Sequence, residues 1–250
     1  FFAYTAPSLL QDGNIPALAR DGYDLKLSLY VQPSEYQEMG ERYSECLDSL
    51  KKLMSINITP IEFQESHTKG HYMRLAFVEQ IKRSIDEESM MFFTPPDTIF
   101  GNRSIFNAVE AVRGKNVCLS AASARIVWNS VESSEAFDGL KKMDRIVEND
   151  EMVDFAFENG HPALLDAFDN EDSNRTLAGG ISIRKLNNNA YSVIHNLPSV
   201  WVANFVADDL KLFLSMGQPK LDSGWLRLLL RHNRLKVVGS SDLFFCVERT

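Results

Sequence analysis

The stretch MMFFTPPDTIFGNRS, Met90 to Ser104, decides how this chain is read. A short apolar run, Met90-Met91-Phe92-Phe93, stops at Thr94-Pro95-Pro96-Asp97. A second amphipathic run begins after Gly101-Asn102. This pattern is that of a buried strand ending in a loop and then a helix. In open α/β sheets, ligands gather outside the carboxyl ends of strands. Asp97 stands at such an end and is the expected centre of chemistry. The competing reading is that Asp97 accepts hydrogen bonds from N–H groups of its own turn.

Working outward, strand and helix alternate. Downstream, Ile105, Phe106, Ala108, Val109 and Val112 mark a helix, with Gly114 where a C′ glycine belongs, and Val117–Ala121 reads as a strand. Upstream, Leu25–Val31 and Ile56–Phe63 alternate as strands do. Between them Ser34 opens a helix, with Gln37 in capping-box position. A further helix starts near His71, and Phe1–Tyr4 reads as a short apolar strand. Repetition of this unit predicts an α/β fold, a mostly parallel sheet with helices on both faces. After Ala124 the rhythm changes. Ser134–Val147 and Asp150–Glu158 read as helices, and Ile181–Leu186 with Ala190–His195 as a β-hairpin. Ser199–Phe205 is expected to be a strand, residues 222–230 a helix, and Leu235–Val238 and Leu243–Val247 two short strands. The change separates residues 1–124 from 125–250 as halves of one domain, not as two domains.

With 250 residues, 44% of them hydrophobic, the chain can bury a sizeable core. The net charge of -8 and the scattered Lys and Arg argue against holding duplex nucleic acid by counterion release. No run approaches the roughly 18 apolar residues of a membrane span. No leader pattern precedes the first apolar residues, and a start at Phe1 reads as a trimmed one. Cys46, Cys118 and Cys246 are widely spaced and apolar in context, as expected of buried thiols in a reducing, cytoplasmic setting.

No G-x-G-x-x-G, P-loop or G-x-S-x-G pattern occurs, and no His spacing suits zinc. The expected ligand contacts are therefore local. Gly13-Asn14 forms a tight loop suited to a nucleotide or to a plain turn. Arg74, near Lys69, His71 and Tyr72, suits a diphosphate or a solvated helix end. Asn102 and Ser104 open a helix whose N-terminus favours anions, or simply cap it. His161, before Pro162, and His195, at a strand end, are candidate bases or acceptor contacts.

Several of these segments resemble a group of bacterial glycosyltransferase-like proteins. Pro7-Ser8-Leu9-Leu10 with Gly13-Asn14-Ile15-Pro16-Ala17-Leu18 is similar to that group's opening motif. Phe93–Phe100 with Ser104 resembles its strand end. The segments around His161-Pro162, His195 to Pro198 and Leu221–Leu226 resemble later blocks. The resemblance implies a GT-A fold, a single Rossmann-like sheet with a nucleotide-diphosphate sugar bound at the strand ends. It implies Pro7, Ser8, Gly13, Asn14, Arg74, Asn102 and Ser104 near the donor. It also implies Asp97 at the donor or at an Mn²⁺ or Mg²⁺ ion, and His161 and His195 toward an unknown acceptor. Two departures stand out. The usual Asp-x-Asp reads Asp97-Thr98-Ile99, with one carboxylate, and Leu197 occupies the position of a second histidine. The expected function is sugar transfer. The alternatives are a catalytically silent binding module of the same fold and a nucleotidyltransferase.

Overall fold

A computed structural model describes residues 1–62, 69–121, 123–160, 181–187, 190–195, 200–216 and 223–249. Over these residues the chain is a mixed α/β protein. From the N-terminus, α1 (Thr5–Leu9) and α2 (Ile15–Arg20) precede β1 (Lys26–Val31), α3 (Pro33–Arg42), α4 (Ser44–Leu53), β2 (Ser55–Pro60) and α5 (Lys69–Asp86). Then come β3 (Met91–Phe92), β4 (Thr98–Phe100), α6 (Ser104–Val112), β5 (Cys118–Ser120) and β6 (Ala124–Ile126). They are followed by α7 (Trp128–Glu132), α8 (Glu135–Lys141), α9 (Asn149–Glu158) and the hairpin β7 (Ile181–Asn187) and β8 (Ala190–His195). The remaining elements are β9 (Val200–Ala203), α10 (Ala207–Ser215), α11 (Ser223–Arg231), β10 (Leu235–Val237) and β11 (Cys246–Arg249).

The described strands form four small sheets, where the sequence predicts one mostly parallel sheet. β1 and β2 pair in parallel across the α3–α4 crossover. A second sheet runs β10-β5-β9-β3, with β5 parallel to β10 and β9 antiparallel to both β5 and β3. A third runs β4-β11-β6, with β11 antiparallel to β4 and parallel to β6. The β7–β8 hairpin is the fourth.

The double proline is the reason the decisive stretch does not stay in one sheet. Pro95 and Pro96 have no N–H to give a ladder, and each fixes its own φ. β3 therefore stops at Phe92, and Phe93 makes one last bond, from its N–H to Trp201 O at 2.8 Å. The chain turns at Pro96-Asp97 and re-enters extended structure as β4, in the neighbouring sheet. Thus Met90–Ser104 holds two strands, where the pattern predicts one strand and a loop.

Two other expectations change. Phe1–Tyr4 is a turn, not a strand: the N–H of Ala6 bonds back to Phe1 O at 3.0 Å, so the apolar residues are buried through a turn that leads into α1. The helix expected from Ser34 is two helices broken at Tyr43, whose φ of -125° leaves the helical range. Its cap falls on Gln32, whose N–H donates to Glu35 Oε2 at 3.1 Å.

The cores are shared between the two halves of the chain. Leu9, Phe100, Ile105 and Val109 pack with Leu119, Trp201, Phe244 and Cys246. Edge-to-face rings join Phe100 to Trp201 at 5.6 Å between centroids. Such a pair adds about 0.5–1.5 kcal/mol to its area burial. A second cluster gathers Phe77 of α5, Phe213 of α10 and Trp225 of α11. Near it, Arg234 grips the buried Asp209 through Nε and one terminal nitrogen and also donates to Asn204 O, which ties the start of β10 to the start of α10. All three cysteines are buried and free. Burial pushes the Cys46 thiol up to about 12, so it stays protonated at neutral pH. Among the described residues no helix is long and apolar enough to cross a membrane.

Candidate functional site

β4 is the edge strand of its sheet, and an exposed edge leaves N–H and C=O groups without partners. Here side chains of the N-terminal segment take them. Ser8 Oγ accepts the Phe100 N–H at 3.1 Å, and Gln11 Nε2 donates to Phe100 O at 2.8 Å. Thr5 Oγ1 donates to Pro96 O at 2.9 Å. Beyond the strand, Asn14 Nδ2 donates to Gly101 O at 3.1 Å and to Ser8 O at 2.9 Å, while its Oδ1 accepts the Ile105 N–H at 3.0 Å. Gln11 Oε1 accepts the Val147 N–H at 2.6 Å. Thr5, Ser8, Gln11 and Asn14 are all buried.

The start of α6 is closed in the same way. Ser104 Oγ lies 2.8 Å from Asn149 Oδ1 and 3.0 Å from Phe245 O, and accepts the Phe245 N–H at 3.0 Å. Asn102 Oδ1 accepts the Gly13 N–H at 2.9 Å, and Asn102 Nδ2 reaches Glu148 at 2.9 Å. Space is as tight as the bonding. A Cβ on Gly101 would stand 1.8 Å from Asn149 Oδ1, and one on Gly13 2.4 Å from Asn102 Oδ1.

The sequence-predicted donor contacts Ser8, Gly13, Asn14, Asn102 and Ser104 are thus brought together, but as a clamp on the backbone. Asn14 also occupies the N-terminus of α6 that an anion would need. Pro7 is buried on α1 and borders a cavity of about 280 Å³ with Leu10, Asp12, Pro16 and Arg145. This group does not surround Asp97. Asp97 precedes β4, whereas Gly13 meets Asn102 beyond its far end. Five residue steps span up to about 16 Å in extended chain. Asp97 and the Gly13 loop thus stand at opposite ends of β4.

Asp97 itself is exposed in the turn that leaves β3. β3 and β5 point the same way, since both run antiparallel to β9. Their carboxyl ends lead to Asp97 and to Ser123, respectively. Between these loops stands Glu248 of β11, half-buried and hydrogen-bonded to Ser123. In register, Glu248 faces Thr98 on one neighbour and Arg125 on the other. Burial pushes the Glu248 carboxyl above its ordinary 4.5, and the charge of Asp97 adds to the rise, while Ser123 and Arg125 pull it down. The hydroxyls of Thr94 and Thr98, on either side of Pro95-Pro96-Asp97, are buried without a hydrogen-bond partner. Arg74 stands one turn before Phe77 of α5, whose ring meets Phe93 at 5.5 Å.

Glu248 is the functional candidate that the sequence reading missed. Its signal was present: it follows the apolar run Phe244-Phe245-Cys246-Val247, as Asp97 follows Met90–Phe93. Of the histidines, His161 lies outside the described residues. His195 ends β8, and its side chain lies outside them too. Among the described residues no group of three His, Cys, Asp or Glu could hold a metal. A larger cavity of about 420 Å³ lies elsewhere, against α9, lined by Phe137, Asp150, Asp154, Phe155 and Glu158.

No family model, curated protein or solved structure matches this chain. The family resemblance rests on its motifs alone.

Two outcomes are expected. Asn14→Ala leaves the buried Ile105 N–H without its side-chain partner, while Gly101 O keeps the Ser104 N–H and Ser8 O keeps Gln11 Nε2, and lowers stability in urea unfolding by about 1–3 kcal/mol, the cost of one orphaned group. Glu248→Gln tests the raised carboxyl. A carboxyl that holds its proton more tightly when folded contributes most below its ordinary pKa, and that contribution is lost as pH rises through the folded value. The stability of Glu248→Gln minus that of wild type should therefore grow as pH rises above 4.5. Parallel curves would contradict the assignment.

Proposed function

We propose that this chain transfers a sugar from a nucleotide-diphosphate donor to an acceptor hydroxyl, at the shared carboxyl edge of β3 and β5. The observation that carries this reading is the meeting of Asp97, Glu248 and Arg125 at that edge, from three separate elements. Strand ends of this kind are where α/β proteins bind ligands. The motif resemblance supports the donor class and, with it, a GT-A arrangement of the strands.

The chemistry sets what the residues must do. Glycosyl transfer passes through an oxocarbenium-like state. The departing diphosphate gains negative charge, which preorganised cations stabilise. Arg125 and Arg74 are the cations suited to that task. Asp97 orients the donor by accepting from sugar or ribose hydroxyls. The donor set does not fit a resident Mn²⁺ or Mg²⁺: Asp97 is exposed on its turn, and the second carboxyl, Glu248, has the Arg125 guanidinium beside it. No step is routed through a metal.

A second reading, a binding module of the same fold without turnover, is favoured by one observation. Ser8, Gly13, Asn14 and Ser104, implied donor contacts, hold backbone instead.

Calorimetric titration with UDP- and GDP-sugars separates these readings from none at all. At least one donor should bind, and Asp97→Ala should weaken it tenfold or more while leaving the unfolding midpoint within a degree or two. Absence of binding across the panel would overturn both. Binding without release of nucleoside diphosphate would leave the module.

A further inference from the structure

We infer that Glu248 is the proton acceptor of the transfer, a role for which the sequence offered His161 and His195 as candidates; this rests on the glycosyl-transfer reading above.

The placement comes first. Glu248 sits on the central strand of the β4-β11-β6 sheet, so its backbone is fixed on both sides. Its side chain shares a row with Thr98 and Arg125, on strands about 4.8 Å away. Ser123, just beyond β5, is its hydrogen-bonding neighbour. The loops from β3 and β5 bring Asp97 and Ser123 to the same spot. A base held by a rigid strand and a hydrogen bond is positioned, as proton transfer requires.

The environment comes second. The charged groups facing Glu248 are Asp97, from the β3–β4 turn, and Arg125, from β6. Partial burial and Asp97 raise its proton affinity, and Arg125 limits that rise. A base of raised affinity draws a proton more strongly in the transition state than an ordinary exposed carboxylate does. The buried hydroxyls of Thr94 and Thr98 mark this turn as polar beneath its surface.

The step balances without a further reactant. The acceptor oxygen forms a bond to the anomeric carbon as its proton passes to a Glu248 carboxylate oxygen. The bond from the anomeric carbon to the β-phosphate oxygen breaks, and its electron pair leaves with the nucleoside diphosphate. Direct displacement of this kind inverts the anomeric centre. Asp97 touches the donor.

The test uses the full chain with water as the acceptor. It follows nucleoside-diphosphate release from UDP-glucose, UDP-galactose, UDP-N-acetylglucosamine and GDP-mannose. With the donor that wild type hydrolyses, Glu248→Gln should lower kcat by about 100-fold or more, the usual weight of general base catalysis. The donor affinity should stay within about threefold. The acid limb of the kcat profile should vanish in Glu248→Gln and persist, shifted, in Glu248→Asp. Calorimetric donor binding by Glu248→Gln shows that the variant is folded. A Glu248→Gln enzyme within fivefold of wild type, with its acid limb intact, would overturn the assignment and leave sugar transfer standing. A wild type that hydrolyses no donor would overturn the transfer reading itself, and this inference with it.

Discussion

Everything in this fold depends on how the backbone between Pro96 and Ile105 finds hydrogen-bond partners. Thr98 to Gly101, Ser104 and Ile105 are buried, so each N–H and C=O there must be satisfied. Neighbouring strands supply one side only, because β4 lies at a sheet edge. The other side is supplied by Thr5, Ser8, Gln11 and Asn14, one after another along the N-terminal segment. The result resembles a missing strand made of side chains. It explains why these polar residues are buried, and why glycines stand at 13 and 101, where the chains approach too closely for a Cβ.

The clamp has a functional consequence. It fixes the β3–β4 turn from behind and leaves Asp97 outward. Side chains that answer buried backbone cannot also hold a ligand without exposing that backbone. The polar motif Ser8 to Asn14 is therefore architecture. The proposed chemistry lies at the other end of β4, beside Asp97, Glu248 and Arg125. Two carboxyls in unequal surroundings is an arrangement that divides roles between neighbours. One is exposed and the other half-buried beside an arginine.

Much of the secondary structure was legible because its signal is local. The strands near residues 26–31, 118–120 and 200–203, the helix at 104–112 and the hairpin at 181–195 follow directly from period and turn residues. Gly114 has the positive φ that its position implied. What the pattern could not carry was partnership. The prolines at 95 and 96 marked an end, but not that the chain would resume as β4 in another sheet. The helix at 207–215 was missed because its cap is formed by Asp209 accepting the Val206 N–H, after an apolar run that reads as strand. Asn14 looked like a ligand contact because a buried asparagine that caps a helix 91 residues away leaves the same mark in sequence as one that binds a base. Glu248 stood at a strand end as plainly as Asp97. Only the register beside Thr98 and Arg125 gives it meaning.

Native-state hydrogen exchange tests the clamp most directly. The amides of Phe100, Ile105 and Val147 donate to side chains of Ser8, Asn14 and Gln11, not to another strand or turn. If the clamp holds the fold together, these three amides exchange only through global unfolding, as slowly as those of Leu119 and Val202 in the central sheet. Exchange of all three at rates typical of exposed loops, with the sheet still protected, would contradict the account.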